Sequence, residues 1–370
     1  MKFSIDKNVI IESLNNVVKA ISTKNIIPVL NGIKFEMDKE GLNLLASDGE
    51  LTIKVLISKN EIKKVDKEGS IVIQSKYLLD ILRKMPSDII NFEVIEGLKI
   101  KIFSDNNQFN LNCLDPNEFP IIKLEESKEP ITLNAEELKT VINQTSFAIS
   151  NQELRPLLTG INFKINGDLL ECVATDSYRL AKKIIKLSNP INNSINIIIP
   201  GRSITELEKM LNDEEIEVHI FNNKILFKYK NIIFQSNLLN GTYPNTSNLI
   251  PNDFEYIIKV GNVGFSSSID RTALLTQGKD KNIIKMLVDN TKLTLTSSSE
   301  LGKSEEKLNV ESNNKEKLEI SFSSKYMLEA LKTIKDENLL LLMNGDTKPI
   351  VIKSVSDESL IQLILPIKTY

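Results

Sequence analysis

The stretch Ile71-Val-Ile-Gln-Ser-Lys-Tyr-Leu-Leu-Asp-Ile-Leu-Arg-Lys-Met85 decides the fold, because its strand-then-helix pattern occurs three times. A β-branched run leads into polar residues suited to a helix start, and Leu78, Leu79, Ile81 and Leu82 then fall at helical spacing. The pattern returns at Ile197-Ile-Ile-Pro-Gly-Arg-Ser-Ile-Thr-Glu-Leu-Glu-Lys-Met-Leu211. It returns again at Ile320-Ser-Phe-Ser-Ser-Lys-Tyr-Met-Leu-Glu-Ala-Leu-Lys332, with Ser-Lys-Tyr repeated outright. Separations of this size belong to repeated domains rather than to a short solenoid unit.

Other elements recur in the same order. Leu42-Asn-Leu-Leu-Ala-Ser-Asp-Gly-Glu-Leu51 matches Leu169-Leu-Glu-Cys-Val-Ala-Thr-Asp-Ser-Tyr-Arg-Leu180, with a fainter copy at Leu293–Leu301. Each reads as a hairpin, one strand ending in small polar turn residues before the next. An amphipathic helix opens each unit. Ile10, Leu14, Val17, Val18 and Ile21 share a face in the first. Asn134 and Glu137 precede Leu138, Val141 and Ile142 in the second, as a capping box would. In the third, Ile269, Leu274 and Leu275 are the expected apolar face of a helix over residues 263–275. Units also close alike, with Phe109 to Leu114 before Phe119-Pro120, and Phe234 to Leu239 before Tyr243-Pro244. Three domains are expected, 1–126, 127–251 and 252–370, with residues 123–130 as a charged, aperiodic linker. Each holds two helices and several strands, an α+β class with helices on one side of antiparallel sheet.

Composition limits the chemistry. Lys+Arg 46 against Asp+Glu 49 gives a net charge of -3, so any contact with nucleic acid must use a local basic surface. Exposed basic residues are expected on the recurring helix: Lys76, Arg83 and Lys84, then Arg202 and Lys209, then Lys325, Lys332 and Lys335. Cys113 and Cys172 stand far apart in strand-like runs, read as small buried hydrophobes of a reducing compartment. No signal segment or bilayer-length apolar run is present, which makes the expectation a cytoplasmic protein. The single histidine, His219, sits in an alternating strand and is expected on a strand surface; one histidine supplies no nucleophilic triad. Gly302-Lys303-Ser304 is no phosphate loop, since Ser297 stands where the upstream glycine is required. No metal-ligand spacing and no cofactor motif is found. Asp48 and Asp176 occupy matched turns; a Mg²⁺-dependent carboxylate pair is one reading, and hairpin-turn aspartates bonding their own backbone is the simpler one.

At this point a resemblance enters. Met1-Lys-Phe, Pro28-Val-Leu, Val173-Ala-Thr-Asp-Ser-Tyr-Arg-Leu180, Gly241-Thr-Tyr-Pro244 and Leu365-Pro-Ile-Lys-Thr-Tyr370 resemble the bacterial DNA polymerase III beta subunits, the DNA sliding clamps, over essentially the whole chain. The resemblance implies three tandem DNA-clamp domains, with helices lining a central hole and antiparallel sheets outside. It implies a non-catalytic processivity factor: a ring homodimer that encircles duplex DNA without reading its sequence. The partners it implies are the replicative polymerase subunit, the clamp loader and other proteins with a clamp-binding motif, and it implies no cofactor and no metal.

By matched position, client peptides would meet Leu158, Thr175, Ser177, Tyr178, Arg179, Leu180, Pro244, Asn248, Leu249, Pro349, Leu363, Leu365, Pro366 and Ile367. Asn248 and Lys368 depart from arginines common in the family. DNA would meet Lys24, Gln152 and Arg202. At the dimer contact, Phe109 and Leu111 of one subunit would meet Leu274 and Leu275 of the other, with Glu300, Glu305 and Glu306 nearby as ion-pair partners. The alternatives are an adaptor that binds peptides without encircling DNA, and the Mg²⁺-dependent enzyme.

Overall fold

The structure, a computed structural model, describes residues 1–22, 26–152, 154–212, 214–276, 282–313 and 316–368. The first repeat runs β1 (Lys2–Asp6), α1 (Lys7–Val17), β2 (Gly32–Met37), β3 (Gly41–Ser47), β4 (Leu51–Ser58), β5 (Ile62–Lys67), β6 (Gly69–Gln74), α2 (Ser75–Lys84), β7 (Ile89–Ile95), β8 (Lys99–Ser104) and β9 (Asn107–Leu114). The second comprises β10 (Ile131–Asn134), α3 (Ala135–Ser146), β11 (Gly160–Thr175), β12 (Arg179–Pro200), α4 (Gly201–Glu208), β13 (Glu215–Ile220), β14 (Lys224–Tyr229) and β15 (Ile232–Asn237). The third comprises β16 (Tyr256–Gly261), α5 (Asn262–Ala273), β17 (Ile283–Asp289), β18 (Lys292–Ser299), β19 (Gly302–Asn309), β20 (Glu311–Ser312), β21 (Leu318–Ser323), α6 (Ser324–Leu331), β22 (Asn338–Met343), β23 (Ile350–Ser354) and β24 (Leu360–Ile364). The three matched stretches become β6, the end of β12 and β21, each running straight into its helix.

Local chemistry accounts for the helices. The Asp6 carboxylate accepts from the Asn8 N–H at 2.8 Å and caps α1, whose Ile10, Leu14 and Val17 are buried. In α2, Leu78 and Leu82 face inward while Lys76, Arg83 and Lys84 are exposed. The Ser323 hydroxyl caps α6 by accepting from the Tyr326 N–H. One expected core position differs. α5 ends at Ala273, and a short 3-10 turn over Leu274–Thr276 carries Leu274 outward to 59% exposure, leaving Phe265 and Ile269 as the buried face.

The chain forms two compact units, residues 1–136 with 209–238, and residues 137–208 with 239–370. Strand pairing between repeats is the cause. In the first unit β15 of the second repeat pairs with β4 of the first, Phe234 opposite Ile53 and Gln235 opposite Thr52. The described residues there make one thirteen-stranded antiparallel sheet, ordered β10-β13-β14-β15-β4-β3-β2-β6-β9-β8-β7-β1-β5. Phe3 stacks on Phe92 in its core at 4.9 Å between ring centroids. In the second unit β12 of the second repeat pairs with β24 of the third, giving a seven-stranded sheet, β11-β12-β24-β23-β22-β16-β20, beside a four-stranded one, β19-β18-β17-β21. The latter two sheets share a core containing Phe265, Ile269, Met327 and Leu331 from α5 and α6.

Among the strands that keep an open edge in the described residues are β9 and β19. β9 pairs with β8 from Asn107 to Asn112 but meets β6 only at Cys113 and Leu114. β19 pairs with β18 alone, so its other edge carries no strand.

Cys113 and Cys172 are buried, on β9 and β11. Burial pushes the Cys113 thiol up to about 11 and raises Cys172 well above the usual thiol range, so neither behaves as a nucleophile.

Asp336, between α6 and β22, ties the turn after β23. Its Oδ2 accepts from the N–H groups of Val355 and Ser356, both at 2.9 Å, and from the Ser354 hydroxyl; Oδ1 accepts from the Ser356 hydroxyl at 2.7 Å. These donors hold its carboxyl at about 2, below the ordinary 3.8. A depressed carboxyl stabilises the fold above its unfolded value and loses that contribution as the pH falls through the folded one. Asp336→Asn is therefore expected to cost about 1–2 kcal/mol at neutral pH in urea unfolding, and less as the pH is lowered toward 3. A cost equal at pH 7 and pH 3 refutes the assignment.

Candidate functional site

The Val173–Leu180 stretch forms the turn between β11 and β12. The Asp176 Oδ1 accepts from the N–H groups of Tyr178 (2.9 Å) and Arg179 (3.0 Å), an Asx turn that lets Ser177 adopt a positive φ of 78°. The Thr175 hydroxyl donates to the Arg179 carbonyl and accepts from the Ser177 N–H at 2.6 and 3.1 Å. The Thr175 N–H donates to the Tyr243 hydroxyl at 3.1 Å, which joins this turn to the Gly241–Pro244 stretch. Burial raises the Tyr243 phenol far above its usual value, so it stays neutral. Gly241 has φ 139°, a conformation that suits glycine.

β12 pairs with β24 in register, Leu180 opposite Leu363 and Arg179 opposite Ile364. Adjacent strand residues point to opposite faces, so the two pairs separate. Leu180 and Leu363 join Leu158, Tyr243, Leu342 and Val351 in one buried cluster, against which Ile250 and Phe254 pack. Around it lie Tyr178 (57% exposed), Leu249 (49%) and Leu365 (38%), with Ser177, Pro244 and Asn248 also exposed. Pro349, Pro366 and Ile367 are half-buried, and Lys368 is exposed. The tail is held at both ends: the Leu365 N–H donates to the Tyr178 carbonyl (2.9 Å) and the Ile367 N–H to the Ser321 carbonyl (2.7 Å). A buried aliphatic floor with exposed leucine, tyrosine and proline on fixed backbone can receive aliphatic and aromatic anchors of an extended peptide.

Arg179 is placed differently from its neighbours. It is 6% exposed and lies on the face of Ile364 and α6. Its guanidinium bonds the Asp176 carboxylate at 3.1 Å and the Glu329 carboxylate, and sits 4.4 Å above the Tyr326 ring and 5.4 Å from the Phe147 ring. The strand alternation that turns Leu180 toward the cluster turns Arg179 the other way, where its guanidinium ties the turn to Glu329 of α6. Sequence reasoning missed its partners Phe147, Tyr326 and Glu329. Tyr326 carried a signal, as the tyrosine of the repeated Ser-Lys-Tyr; Phe147 and Glu329 carried none.

The other expected residues are scattered. Gln152 and Arg202 are exposed, Arg202 in the first turn of α4, while Lys24 lies outside the described residues. Phe109 (38% exposed) and Leu111 are on β9, at its open edge; Leu274 and Leu275 are in the 3-10 turn after α5. Glu306 pairs with Arg271 at 2.7 Å and Glu305 with Lys307, both within this chain.

Asp48 repeats the Asp176 geometry, its Oδ1 accepting from the N–H groups of Glu50 (3.0 Å) and Leu51 (2.8 Å). Both aspartates use Oδ1 to bond the N–H groups of their own turns, which is the simpler of the two readings. His219 departs from expectation. It is 1% exposed rather than on an open strand surface, because Ser127, in the stretch 123–130 expected to be a linker, bonds its ring. Among the described residues no helix is long and apolar enough to cross a membrane.

Comparison with known proteins adds the identity. Family models for the DNA polymerase III beta subunit match its N-terminal domain at residues 1–123, its central domain at 132–245 and its C-terminal domain at 247–368. The beta sliding clamp of Bacillus subtilis (strain 168) is 39% identical over 378 residues, and that of Staphylococcus aureus (strain N315) 37% over 377, with all of each chain covered. The crystal structure of the Bacillus subtilis DNA polymerase sliding clamp superposes with a TM-score of 0.95 at 39% identity, covering 100% of both chains. The DNA polymerase III beta chain of Streptococcus pneumoniae TIGR4 does so with a TM-score of 0.95 at 32% identity, again over 100% of both. With three clamp domains matched end to end, the chain belongs to the DNA polymerase III beta subunit family, the beta sliding clamps, which are non-catalytic processivity factors of DNA replication.

Proposed function

We propose that two copies of this chain close head to tail into a ring around duplex DNA and tether the replicative polymerase to it. The supporting observation is the logic of the sheet seams. In each unit the second hairpin strand of one repeat pairs with the closing strand of the next: β4 with β15, and β12 with β24. The third repeat's second hairpin strand, β19, has an open edge, and so has β9, the closing strand of the first repeat. The same rule completes itself when β19 of one subunit meets β9 of another. Such a contact joins different surfaces, and two of them close a dimer. Leu274 and Leu275 would then be covered by Phe109 and Leu111 of the partner. The repeats fall as 1–126, 127–251 and 252–370, with their helices turned to the central hole.

DNA is met through phosphates only. Lys24, Gln152 and Arg202, with the exposed lysines and arginines of α2 and α6, supply weak, sequence-independent contacts. Strong phosphate contacts would hold the protein but hinder sliding; a closed ring retains it while each contact stays weak. The exposed apolar surface around Leu180 and Leu363 takes the polymerase subunit, the clamp loader and other proteins bearing a clamp-binding motif, one peptide at a time. The setting is the cytoplasm.

The test is topological. Loaded on a closed DNA circle, the protein should survive a high-salt wash and be lost when the circle is cut. Leu274→Ala with Leu275→Ala should shift the mass in solution toward monomer and remove that retention. Equal loss from circular and linear DNA would leave the non-encircling adaptor as the better reading, and an unaltered dimer in the double variant would discard this contact.

A further inference from the structure

His219, the chain's one histidine, is not among the residues proposed above for tethering or DNA contact. It lies in the first unit on β13, and the connector between the first two repeats runs over it. The Ser127 N–H donates to its Nδ1 at 2.9 Å, and the Ser127 hydroxyl lies 3.0 Å from the same nitrogen. A backbone N–H can only donate, so Nδ1 holds a lone pair and the neutral ring carries its proton on Nε2. Nε2 is buried without a hydrogen-bond partner, 3.6 Å from the Glu217 carboxylate.

The surroundings are charged. Glu217 shares β13; Lys224 and Lys228 come from β14; Glu125 and Glu126 come from the connector, and β10, on the other side of β13, brings no charged residue. Lys228 bonds Glu126 at 2.8 Å and Lys224 approaches Glu125 at 3.8 Å, fastening the connector just ahead of Ser127. Glu126, Glu217 and His219 bring ligand atoms within 4.8 Å of one another. A metal ion would need the Nε2 lone pair, which the Ser127 donor denies it, and the Lys228 ammonium already bridges both carboxylates at 2.8 and 3.9 Å. The cluster is built for a proton, not a metal.

We propose that His219 is a proton-operated latch on the connector. The neutral ring holds the Ser127 backbone. A second proton, arriving on Nδ1, faces the Ser127 N–H and breaks that bond, leaving only the hydroxyl free to turn and accept. Glu217 and Glu126 stabilise the imidazolium while Lys228 opposes it. Upstream, Phe119, Pro120, Ile121, Ile122 and Leu124 line a cleft with Lys34 of β2, Asn43 of β3 and Lys54 of β4, so the same strap crosses the sheet next to the β4–β15 seam. Its release loosens the joint between the first two repeats when the ring takes its second proton.

The full-length protein tests this directly, since its single imidazole gives one set of side-chain resonances. At pH 7.5 nitrogen-15 spectra should show the Nε2–H tautomer. On acidification to pH 5.5, exchange protection of the Ser127 amide, corrected for intrinsic rate, should fall about fivefold to tenfold with the midpoint of the imidazole's own titration. His219→Gln, whose side-chain oxygen accepts the same N–H and does not titrate, should keep protection constant over that range. An Nδ1–H tautomer at neutral pH, a ring that stays neutral to pH 5.5, protection that ignores the ring's titration, or a glutamine variant with the same pH dependence each overturns the latch. The tautomer and the wild-type titration decide the matter even if the variant does not fold.

Discussion

Leu249→Ala combined with Leu365→Ala is expected to weaken a polymerase-derived peptide carrying aliphatic and aromatic anchors by about thirtyfold, with no change in unfolding midpoint. Both leucines are about half exposed, 49% and 38%, so the fold draws little on their outer halves. Covering the remainder of each is worth about 1 kcal/mol, given about 1.5–3 kcal/mol for a whole leucine side chain. Two such losses make about 2 kcal/mol, which is the thirtyfold change in Kd. Leu363→Ala makes the contrast. At 3% exposure it sits in the floor, and its truncation should cost about 2–4 kcal/mol of stability through the cavity it leaves. Calorimetric titration of peptide into the double variant, beside urea unfolding, separates the two effects. Unaltered peptide affinity removes this surface from the proposal.

Arg179→Ala should act in the opposite way, costing about 3 kcal/mol of stability. The substitution leaves the Asp176 and Glu329 carboxylates facing a nearly closed space beside the Tyr326 and Phe147 rings without their cation. Removing one member of a buried pair costs about 3–5 kcal/mol, and the lower end applies because the Glu329 side chain keeps 31% of its exposure. Arg179→Lys should recover part of the loss, since an ammonium can reach one carboxylate but cannot bond both from a planar fork. Peptide binding should then fall only as far as the Asx turn loosens. A variant of full stability that nonetheless loses peptide would show Arg179 to be a direct contact instead.

Much of the architecture was legible in the residues. The strand-then-helix stretches at Ile71, Ile197 and Ile320 became β6–α2, β12–α4 and β21–α6, because β-branched runs and helical spacing of leucines are local signals. Asp48 and Asp176 in matched turns could be read as hairpin residues for the same reason: an aspartate bonding the N–H groups two and three positions ahead needs nothing from elsewhere. Leu274 was harder, since periodicity continues past the point where α5 stops.

The sequence by itself therefore determined the repeats, their helices and hairpins, and the apolar stretches from which a docking surface could be assembled. Only the tertiary structure decided which strands meet across repeats, that Arg179 turns away from Leu180, and that Ser127 bonds the His219 ring. Those outcomes depend on pairings between residues up to hundreds of positions apart, such as Gln235 with Thr52 or Arg179 with Glu329. Open strand edges offer the same backbone donors and acceptors whatever their side chains, so register and partner are settled by packing in three dimensions rather than by local pattern.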